Sequence, residues 1–202
     1  MRDLYLVTGS MRTGKTSLCK ALFHILEQKS TRPFAIIEEN QRDDQGIPLT
    51  IVLCDLARNE ILPLASRKPL PGGTSPGGTS PGDDYPPFVF HLEAFAWAMD
   101  KLKEAVAQGC GPVILDEIGA LEAKRGEGFL MAAVWAMVNG EGSLVLTLRP
   151  DLVDSLLERL SSMTEIGPVK RFRLGDTDPE KLASAIADDI LSIARAANEL
   201  YI

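Results

Sequence analysis

An eight-residue stretch near the amino terminus has the residue types and the spacing that bind phosphate. It fits the pattern G-x-x-x-x-G-K-[ST], and its members are Gly9, Ser10, Met11, Arg12, Thr13, Gly14, Lys15 and Thr16. The glycines let the backbone curl around phosphate with its N–H groups pointing inward, and Ser17 is placed to touch an α-phosphate. Lys15 can reach the β- and γ-phosphates, and the Thr16 hydroxyl can bind Mg²⁺. The pattern therefore predicts a nucleoside triphosphate site.

Two adjacent carboxylates follow the apolar run 113–115. An aspartate at the end of a strand binds Mg²⁺ in many phosphate-loop proteins, usually through water, and Asp116 suits that role. Glu117 could face the γ-phosphate and orient or deprotonate water, provided that the chain turns where the strand ends. The alternative is a solvated acidic turn. The residues also spell D-x-x-G, but no [NT]-K-x-D guanine motif follows, which disfavours a switch GTPase.

Other polar residues are weaker candidates for a role in the site. Thr147 would face the γ-phosphate if its strand lies beside the phosphate-loop strand. Arg149 could stabilise charge, but pairing with Asp151 is the favoured interpretation. Arg125 could act as an arginine finger, although an arginine in such a place is more often a solvated loop charge. Structural roles are expected for the histidines and tryptophans, which are His24, His91, Trp97 and Trp135.

Strands and helices alternate around these residues. Apolar runs predict strands at 4–7, 34–37, 50–56, 88–90, 113–115, 143–148 and 169–174. Helical spacing predicts helices after Gly14, from about 92, over 129–138, and after Asp151 and Asp178. The part from 34 to 64 is expected to form a small antiparallel meander. The whole pattern predicts one α/β domain over 1–202, with three layers and a mostly parallel sheet flanked by helices.

Local signals indicate the ends and faces of these elements. The polar run 38–46 is expected to follow the second strand rather than to belong to it. Asp151 is expected to cap the helix after it, and the helix over 129–138 is expected to be buried. The helix from about 92 is expected to bury a face made of Leu92, Phe95, Ala96, Met99, Leu102 and Val106.

A low-complexity segment lies at 71–82, where PGGTS occurs twice and is followed by PG. Glycine, proline and serine favour a mobile loop that cannot contribute to a core. A solvated insertion in a surface loop is the favoured interpretation, and a lid over a ligand is the alternative.

Composition excludes several classes of protein. The 202 residues are 45% hydrophobic and 24% charged, as in an ordinary globular domain. The formal net charge of −7 makes nucleic acid an unlikely partner, because duplex binding usually needs a basic face. The cysteines at 19, 54 and 110 form no C-x-x-C pair, so reduced thiols are expected rather than disulfides or zinc. No apolar run fits a signal peptide or a membrane span, and a cytoplasmic protein is expected.

The order of these parts resembles the small stand-alone P-loop nucleoside-triphosphatases of the thermophilic type. That family pairs a G-x-x-x-x-G-K-T loop with a D-E-I-G-x-[ML]-E segment, which is DEIGALE at 116–122 here. The likeness covers most of 1–160 and implies an α/β fold, Mg²⁺-dependent hydrolysis of nucleoside triphosphates and broad tolerance of the base. The resemblance implies phosphate binding by Gly9, Gly14, Lys15 and Thr16. It also implies metal binding by Asp116 and a catalytic carboxylate at Glu117. The insertion at 71–82, Leu121 in place of methionine and the carboxyl-terminal third depart from the family pattern.

Four functions are compatible with a phosphate loop, and hydrolysis of ATP, GTP and other nucleoside triphosphates is the leading one. A nucleotide or small-molecule kinase shares the loop, but 71–82 lacks the Arg or Lys that a kinase lid usually carries. A slow regulatory nucleotide-binding module would have the same motifs. An ATPase stimulated by nucleic acid is disfavoured by the acidic composition. Base preference and oligomeric state are open at this point.

Overall fold

A central sheet of eight strands organises the computed structural model, which describes residues 3–67, 88–175 and 177–199. Its strands are β1 (Leu4–Thr8), β2 (Phe34–Arg42), β3 (Pro48–Asp55), β4 (Glu60–Arg67), β5 (Phe88–Phe90), β6 (Val113–Ile118), β7 (Leu144–Leu148) and β8 (Val169–Arg173). The helices are α1 (Lys15–Gln28), α2 (Leu92–Ala107), α3 (Leu130–Asn139), α4 (Val153–Met163) and α5 (Pro179–Glu199). The segment predicted as an insertion, 71–82, lies outside the described residues.

The sheet combines a parallel part with an antiparallel part. Its strand order is β5-β4-β3-β2-β6-β7-β1-β8. Strands β2, β6, β7, β1 and β8 are parallel, whereas β3, β4 and β5 extend the sheet antiparallel from β2. This confirms the mostly parallel α/β sheet and the meander over 34–64. Strand β7 lies between β1 and β6, which brings the ends of the phosphate-loop strand and the acidic strand to one edge.

Helices cover both faces of the sheet. Along β1, Leu4 and Leu6 pack into the layer that contains α2, α3 and α4, whereas Tyr5 and Val7 pack into the layer of α1 and α5. A strand that is buried on both faces needs apolar residues at every position, which explains the uninterrupted apolar runs of the central strands. No helix within the described ranges is long and apolar enough to cross a membrane.

Strand β2 is longer than the sequence predicts. The polar run was expected to follow the strand, yet the strand continues to Arg42. Glu38, Glu39 and Asn40 pair with Leu53, Val52 and Ile51 of β3. Antiparallel pairing satisfies the backbone groups of this extension, so polar side chains can alternate along a half-exposed strand. The expected loop therefore begins only after residue 42.

The buried face of α2 also differs from the prediction. Its fully buried positions are alanines together with one leucine, namely Ala94, Ala98, Leu102 and Ala105. Leu92 is 75% exposed, while Phe95, Met99 and Val106 are only partly buried. Small side chains let the helix axis approach the sheet closely. The buried face of α2 is therefore rotated about the helix axis from the predicted face, which contained the larger residues Leu92, Phe95 and Met99.

Two further local predictions are wrong. Asp151 does not cap a helix: it lies in a 3-10 turn (Pro150–Leu152) and pairs with Arg149, and α4 begins at Val153 without a side-chain cap. The turn displaces the helix start by two residues, which leaves Asp151 outside capping distance. Helix α3 is not buried all round, because Met131 and Val138 are exposed.

A polar cluster ties α5 to the edge strand β8. The Lys170 Nζ lies 2.5 Å from Asp189 Oδ2 and 3.4 Å from Asp3 Oδ2, and the Tyr5 hydroxyl donates to Asp189 at 2.6 Å. The hydrogen bonds from Lys170 and Tyr5 hold the pKa of Asp189 below its usual value. This cluster fixes α5 against β1 and β8.

Candidate active site

The loop between β1 and α1 has the shape of a phosphate cradle. Gly14 has a φ of 97°, and a Cβ there would lie 2.8 Å from Pro179 Cγ. A Cβ at Gly9 would lie 2.4 Å from the Thr13 hydroxyl, which itself donates to the Ser10 carbonyl at 2.9 Å. Both glycines are therefore required by close packing. The N–H groups at the start of α1 carry the positive end of the helix dipole, where anions bind.

Lys15 lies between this loop and the acidic strand. The residue is only 3% exposed. Its Nζ donates to the carbonyls of Gly9 and Ser10 at 3.3 and 3.2 Å, and it lies 3.2 Å from Glu117 Oε1. The ammonium group is thus held between the phosphate loop and the Glu117 carboxylate. From this position it can contact a phosphate bound in the loop.

Asp116 is buried and its two carboxylate oxygens have different partners. The Thr16 hydroxyl donates to Oδ2 at 2.6 Å, and the Thr147 hydroxyl donates to Oδ1 at 2.5 Å. The Cys19 thiol lies 3.7 Å from Oδ1. Burial, followed by the negative charge of Asp116, raises the pKa of Cys19, so this thiol stays neutral. Residues of α1, β6 and β7 meet at this carboxylate.

The oxygens of Thr16 and Asp116 fit a magnesium ion. Mg²⁺ prefers hard oxygen ligands and is usually held by one or two protein side chains together with water and phosphate oxygens. The two side chains are in direct contact, so both can reach one ion. No group of three or more His, Cys, Asp or Glu that could hold a metal exists among the described residues. The donor set thus suits an ion shared with phosphates rather than an ion enclosed by protein.

The chain turns sharply at Glu117, as a role at the γ-phosphate requires. Glu117 has a φ of 55°, a left-handed conformation, and the register of β6 against β7 shifts between Leu115 and Ile118. Its backbone N–H donates to the Thr147 hydroxyl at 2.9 Å. The side chain is 39% exposed and faces Lys15 instead of following the strand alternation.

Two glutamates near the site, Glu122 and Glu38, were not predicted from the sequence to be site residues. Glu122 accepts hydrogen bonds from the N–H groups of Gly119 and Phe129. Burial raises its pKa, and these bonds partly oppose that effect. Burial also raises the pKa of Glu38, to which the charges of Asp116, Glu117 and Glu122 add. The DEIGALE string contains Glu122, but Glu38 becomes visible only when β2 is known to lie beside β6.

The remaining candidates lie outside this constellation. Arg149 pairs with Asp151 at 3.3 Å, which confirms the favoured interpretation. Arg125 is 60% exposed and lies 3.6 Å from Glu127. The histidines and tryptophans lie away from Lys15 and Asp116. His24 is exposed beside Glu27, and His91 bonds to Ser66. Trp97 and Trp135 pack against the core. The three cysteines are buried and none forms a disulfide.

Two solved structures share this architecture. A human cancer-related nucleoside triphosphatase superposes with a TM-score of 0.68 at 19% identity, covering 95% of this chain and 98% of that one. THEP1 from the hyperthermophile Aquifex aeolicus superposes with a TM-score of 0.56 at 16% identity, covering 96% and 98%. At such identities the likeness establishes a common fold. Among curated protein sequences, none matches this chain significantly.

A match to a protein-family model assigns the chain to a family, which the two structural likenesses do not do. The model described as NTPase matches residues 4–187, which include the phosphate loop, the acidic strand and the beginning of α5. The match covers far more than half of the chain. The chain therefore belongs to the NTPase family, whose members are hydrolases of nucleoside triphosphates.

Proposed function

We propose that this protein hydrolyses ATP, GTP and other nucleoside triphosphates to the diphosphate and phosphate in a Mg²⁺-dependent reaction. The observation that carries the proposal is that two pairs converge at one edge of the sheet. Thr16 contacts Asp116 at 2.6 Å, and Lys15 contacts Glu117 at 3.2 Å. Both pairs join the phosphate loop to the acidic strand, so groups for binding and for chemistry lie side by side.

The loop residues bind the triphosphate in this proposal. Backbone N–H groups from Ser10 to Thr16 surround the phosphates, Ser17 contacts the α-phosphate, and Lys15 contacts the β- and γ-phosphates. Thr16 and Asp116 would hold Mg²⁺, which when bound neutralises charge on the phosphate oxygens. Broad tolerance of the base is proposed from the family likeness and from the lack of an [NT]-K-x-D motif in the sequence.

Glu117 performs the proton chemistry. Its carboxylate orients a water molecule in line with the γ-phosphorus and accepts a proton from it. The new bond joins the water oxygen to phosphorus, and the bond that breaks joins phosphorus to the bridging oxygen, which leaves with the diphosphate. A positioned base of this kind contributes about 10²–10⁴-fold to the rate.

Phosphate release tests the proposal. ATP, GTP, CTP and UTP are each supplied with Mg²⁺ to the native protein and to its Lys15→Ala and Glu117→Gln variants. We expect turnover of several bases, loss of nucleotide binding in Lys15→Ala, and retained binding with a kcat reduced by about 10²–10⁴-fold in Glu117→Gln. Lys20→Ala removes an exposed lysine that pairs with Glu39 and serves as the matched control.

Other outcomes discriminate among the alternatives. Tight nucleotide binding without phosphate release would contradict hydrolysis and favour a kinase that awaits its acceptor, or a regulatory module. Full activity of Glu117→Gln would reject this carboxylate as the base. We expect no stimulation by added DNA or RNA, in keeping with the acidic composition.

A further inference from the structure

One buried carboxylate joins the two ends of the segment that follows β6. We call residues 117–129 the catalytic loop. Glu122 is 4% exposed, its Oε2 accepts the Gly119 N–H at 2.8 Å, and its Oε1 accepts the Phe129 N–H at 2.9 Å. Each oxygen bonds a different end of the loop. The carboxylate therefore closes the loop in the way that a hydrogen-bonded clamp would.

The surroundings of Glu122 are shaped to admit this carboxylate. It lies in a π-helical turn (Leu121–Arg125), and a Cβ at Gly128 would lie only 2.0 Å from Glu122 Oε1. Gly128 also has a φ of 61°. Any side chain at 128 would therefore push the carboxylate away from the Phe129 N–H. That N–H belongs to Phe129, the residue at the start of α3, whose own side chain makes no capping hydrogen bond.

The hydrogen bonds of Glu122 lie next to Glu117, whose backbone has a left-handed conformation. A left-handed conformation is unfavourable for a residue with a side chain, so contacts on both sides must hold Glu117 in it. On its amino side, the Thr147 hydroxyl accepts the Glu117 N–H at 2.9 Å. On its carboxyl side, Ile118 is buried and the next N–H, that of Gly119, is bound by Glu122.

We propose that Glu122 is a positioning residue that fixes the backbone of the catalytic loop and so aims the Glu117 carboxylate at the attacking water. This inference rests on the proposed function, in which Glu117 is the base. Glu122 itself touches neither nucleotide nor water in this scheme. The simpler alternative is that Glu122 only stabilises the fold.

The Glu122→Gln variant separates these two roles through kinetics. A glutamine places an NH₂ group against one of the two backbone N–H donors, so one end of the loop is released while the volume is unchanged. The phosphate loop is untouched. We expect kcat to fall by about 10²-fold, as for a misplaced reacting group, with KM and nucleotide affinity unchanged. Glu127→Gln is the matched control, because Glu127 is an exposed glutamate of the same loop.

Two further variants keep the inference testable if Glu122→Gln folds poorly. Gly128→Ala retains the carboxylate but displaces it, and we expect the same selective loss of kcat. Adding Glu122→Gln to Glu117→Gln is expected to cause no further loss, because a residue that acts only through Glu117 has nothing left to position. Thermal unfolding and binding of a fluorescent nucleotide identify the folded fraction of each variant.

The outcomes distinguish the inference from the function on which it rests. Native kcat in Glu122→Gln or in Gly128→Ala, beside an inactive Glu117→Gln, would overturn the clamp and leave the proposed function intact. A further loss of turnover in the double variant, or a parallel loss of nucleotide binding, would also overturn it. Full activity of Glu117→Gln would overturn both.

Discussion

The Thr147 hydroxyl connects the two carboxylate residues of the site. It donates to Asp116 Oδ1 and accepts the backbone N–H of Glu117, so both of these hydrogen-bonding capacities are used. The sequence predicts that Thr147 faces the γ-phosphate if β7 lies beside β1. Strand β7 does lie beside β1, but the Thr147 side chain is fully buried against Asp116 and Glu117, and its contact with phosphate stays a prediction. The hydroxyl fixes the orientation of Asp116 and the backbone of Glu117 together.

Replacing Thr147 with valine keeps the shape and removes this connection. The Thr147→Val variant removes the hydroxyl that bonds a buried carboxylate oxygen and an N–H group, so we expect a loss of about 1–3 kcal/mol in the free energy of unfolding. We also expect kcat to fall more than KM rises. Denaturant unfolding and phosphate release measure the two effects, and Thr50→Val on β3 is the control. Unchanged stability and unchanged kcat would contradict this role.

Glu38 makes stability depend on pH. Burial and the neighbouring negative charges raise its folded-state pKa well above the ordinary 4.5, so the unfolded chain ionises first. As pH rises between these two values, ionisation opposes folding more strongly. We expect Glu38→Gln to raise Tm at about pH 8 and to have little effect at about pH 4. The neighbouring Glu39→Gln, which loses a pair with Lys20, should show no such gain, and equal shifts of Glu38→Gln at both pH values would refute the prediction.

At the level of elements, three loops pack backbone against backbone at the edge of the sheet opposite the site. A Cβ at Gly142 would lie 2.3 Å from the Gly111 carbonyl carbon and 2.6 Å from Pro112 N, and a Cβ at Gly111 would lie 2.2 Å from the Thr31 carbonyl oxygen. These loops precede β7, β6 and β2. Close backbone packing therefore holds these three loops against one another.

An alanine at 142 tests this packing. In Gly142→Ala the new methyl group meets backbone atoms that cannot move aside easily, so we expect a loss of about 1–3 kcal/mol in unfolding free energy. For a chain of this size that lowers Tm by roughly 2–4 °C for each kcal/mol. Gly175→Ala is the matched control, because a Cβ there meets no atom of the described residues within 4 Å. Equal Tm values for the two variants would show that the loops are not tightly packed.

The elements show where local sequence signals are sufficient and where they are not. Apolar runs located the strands because those strands are buried on both faces. The end of β2 could not be predicted, because its polar residues stay extended only through pairing with β3. Alanines dominate the buried face of α2, and alanine gives a weak hydrophobic signal compared with Leu92, which is exposed.

For the whole molecule, the candidate site lies where the two packed layers meet. The Asp116 carboxylate contacts α1 on one side of the sheet, while the catalytic loop leads into α3 on the other. Nucleotide bound there would contact elements that belong to both layers. Binding should therefore stabilise the whole fold rather than one segment.

Thermal unfolding with nucleotide measures this stabilisation. At a ligand concentration of about 100 times Kd, we expect a gain of about 2.7 kcal/mol. For a chain of this length, the Tm then rises by roughly 5–11 °C. Lys15→Ala should abolish the rise, and the Lys20→Ala control should retain it. A rise that survives in Lys15→Ala would mean that nucleotide binds away from the phosphate loop.

Across the molecule, the sequence predicts the parts of the site that are contiguous in the chain. The phosphate loop is predicted from G-x-x-x-x-G-K-[ST], because the residues of this pattern are consecutive in the chain. The surroundings of Glu38, the two bonds of Glu122 and the hydroxyl contacts of Thr147 depend on strand order and on loop closure. Strand order is set by long-range pairing, which no local pattern contains. The bonds of Glu122 are close in sequence, but they depend on how the loop folds back on itself.

The left-handed backbone at Glu117 has a consequence for evolution and for engineering. Glycine usually destabilises a regular element by about 0.5–1 kcal/mol relative to alanine. At 117 we expect the opposite order, with Glu117→Gly more stable than Glu117→Ala by about 1 kcal/mol, since a Cβ is disfavoured at this φ. Both variants lose the carboxylate, so denaturant unfolding of the pair isolates the backbone effect, and an alanine that equals glycine would refute it. Selection for stability alone would thus favour replacing Glu117, the residue proposed to act as the base, with glycine.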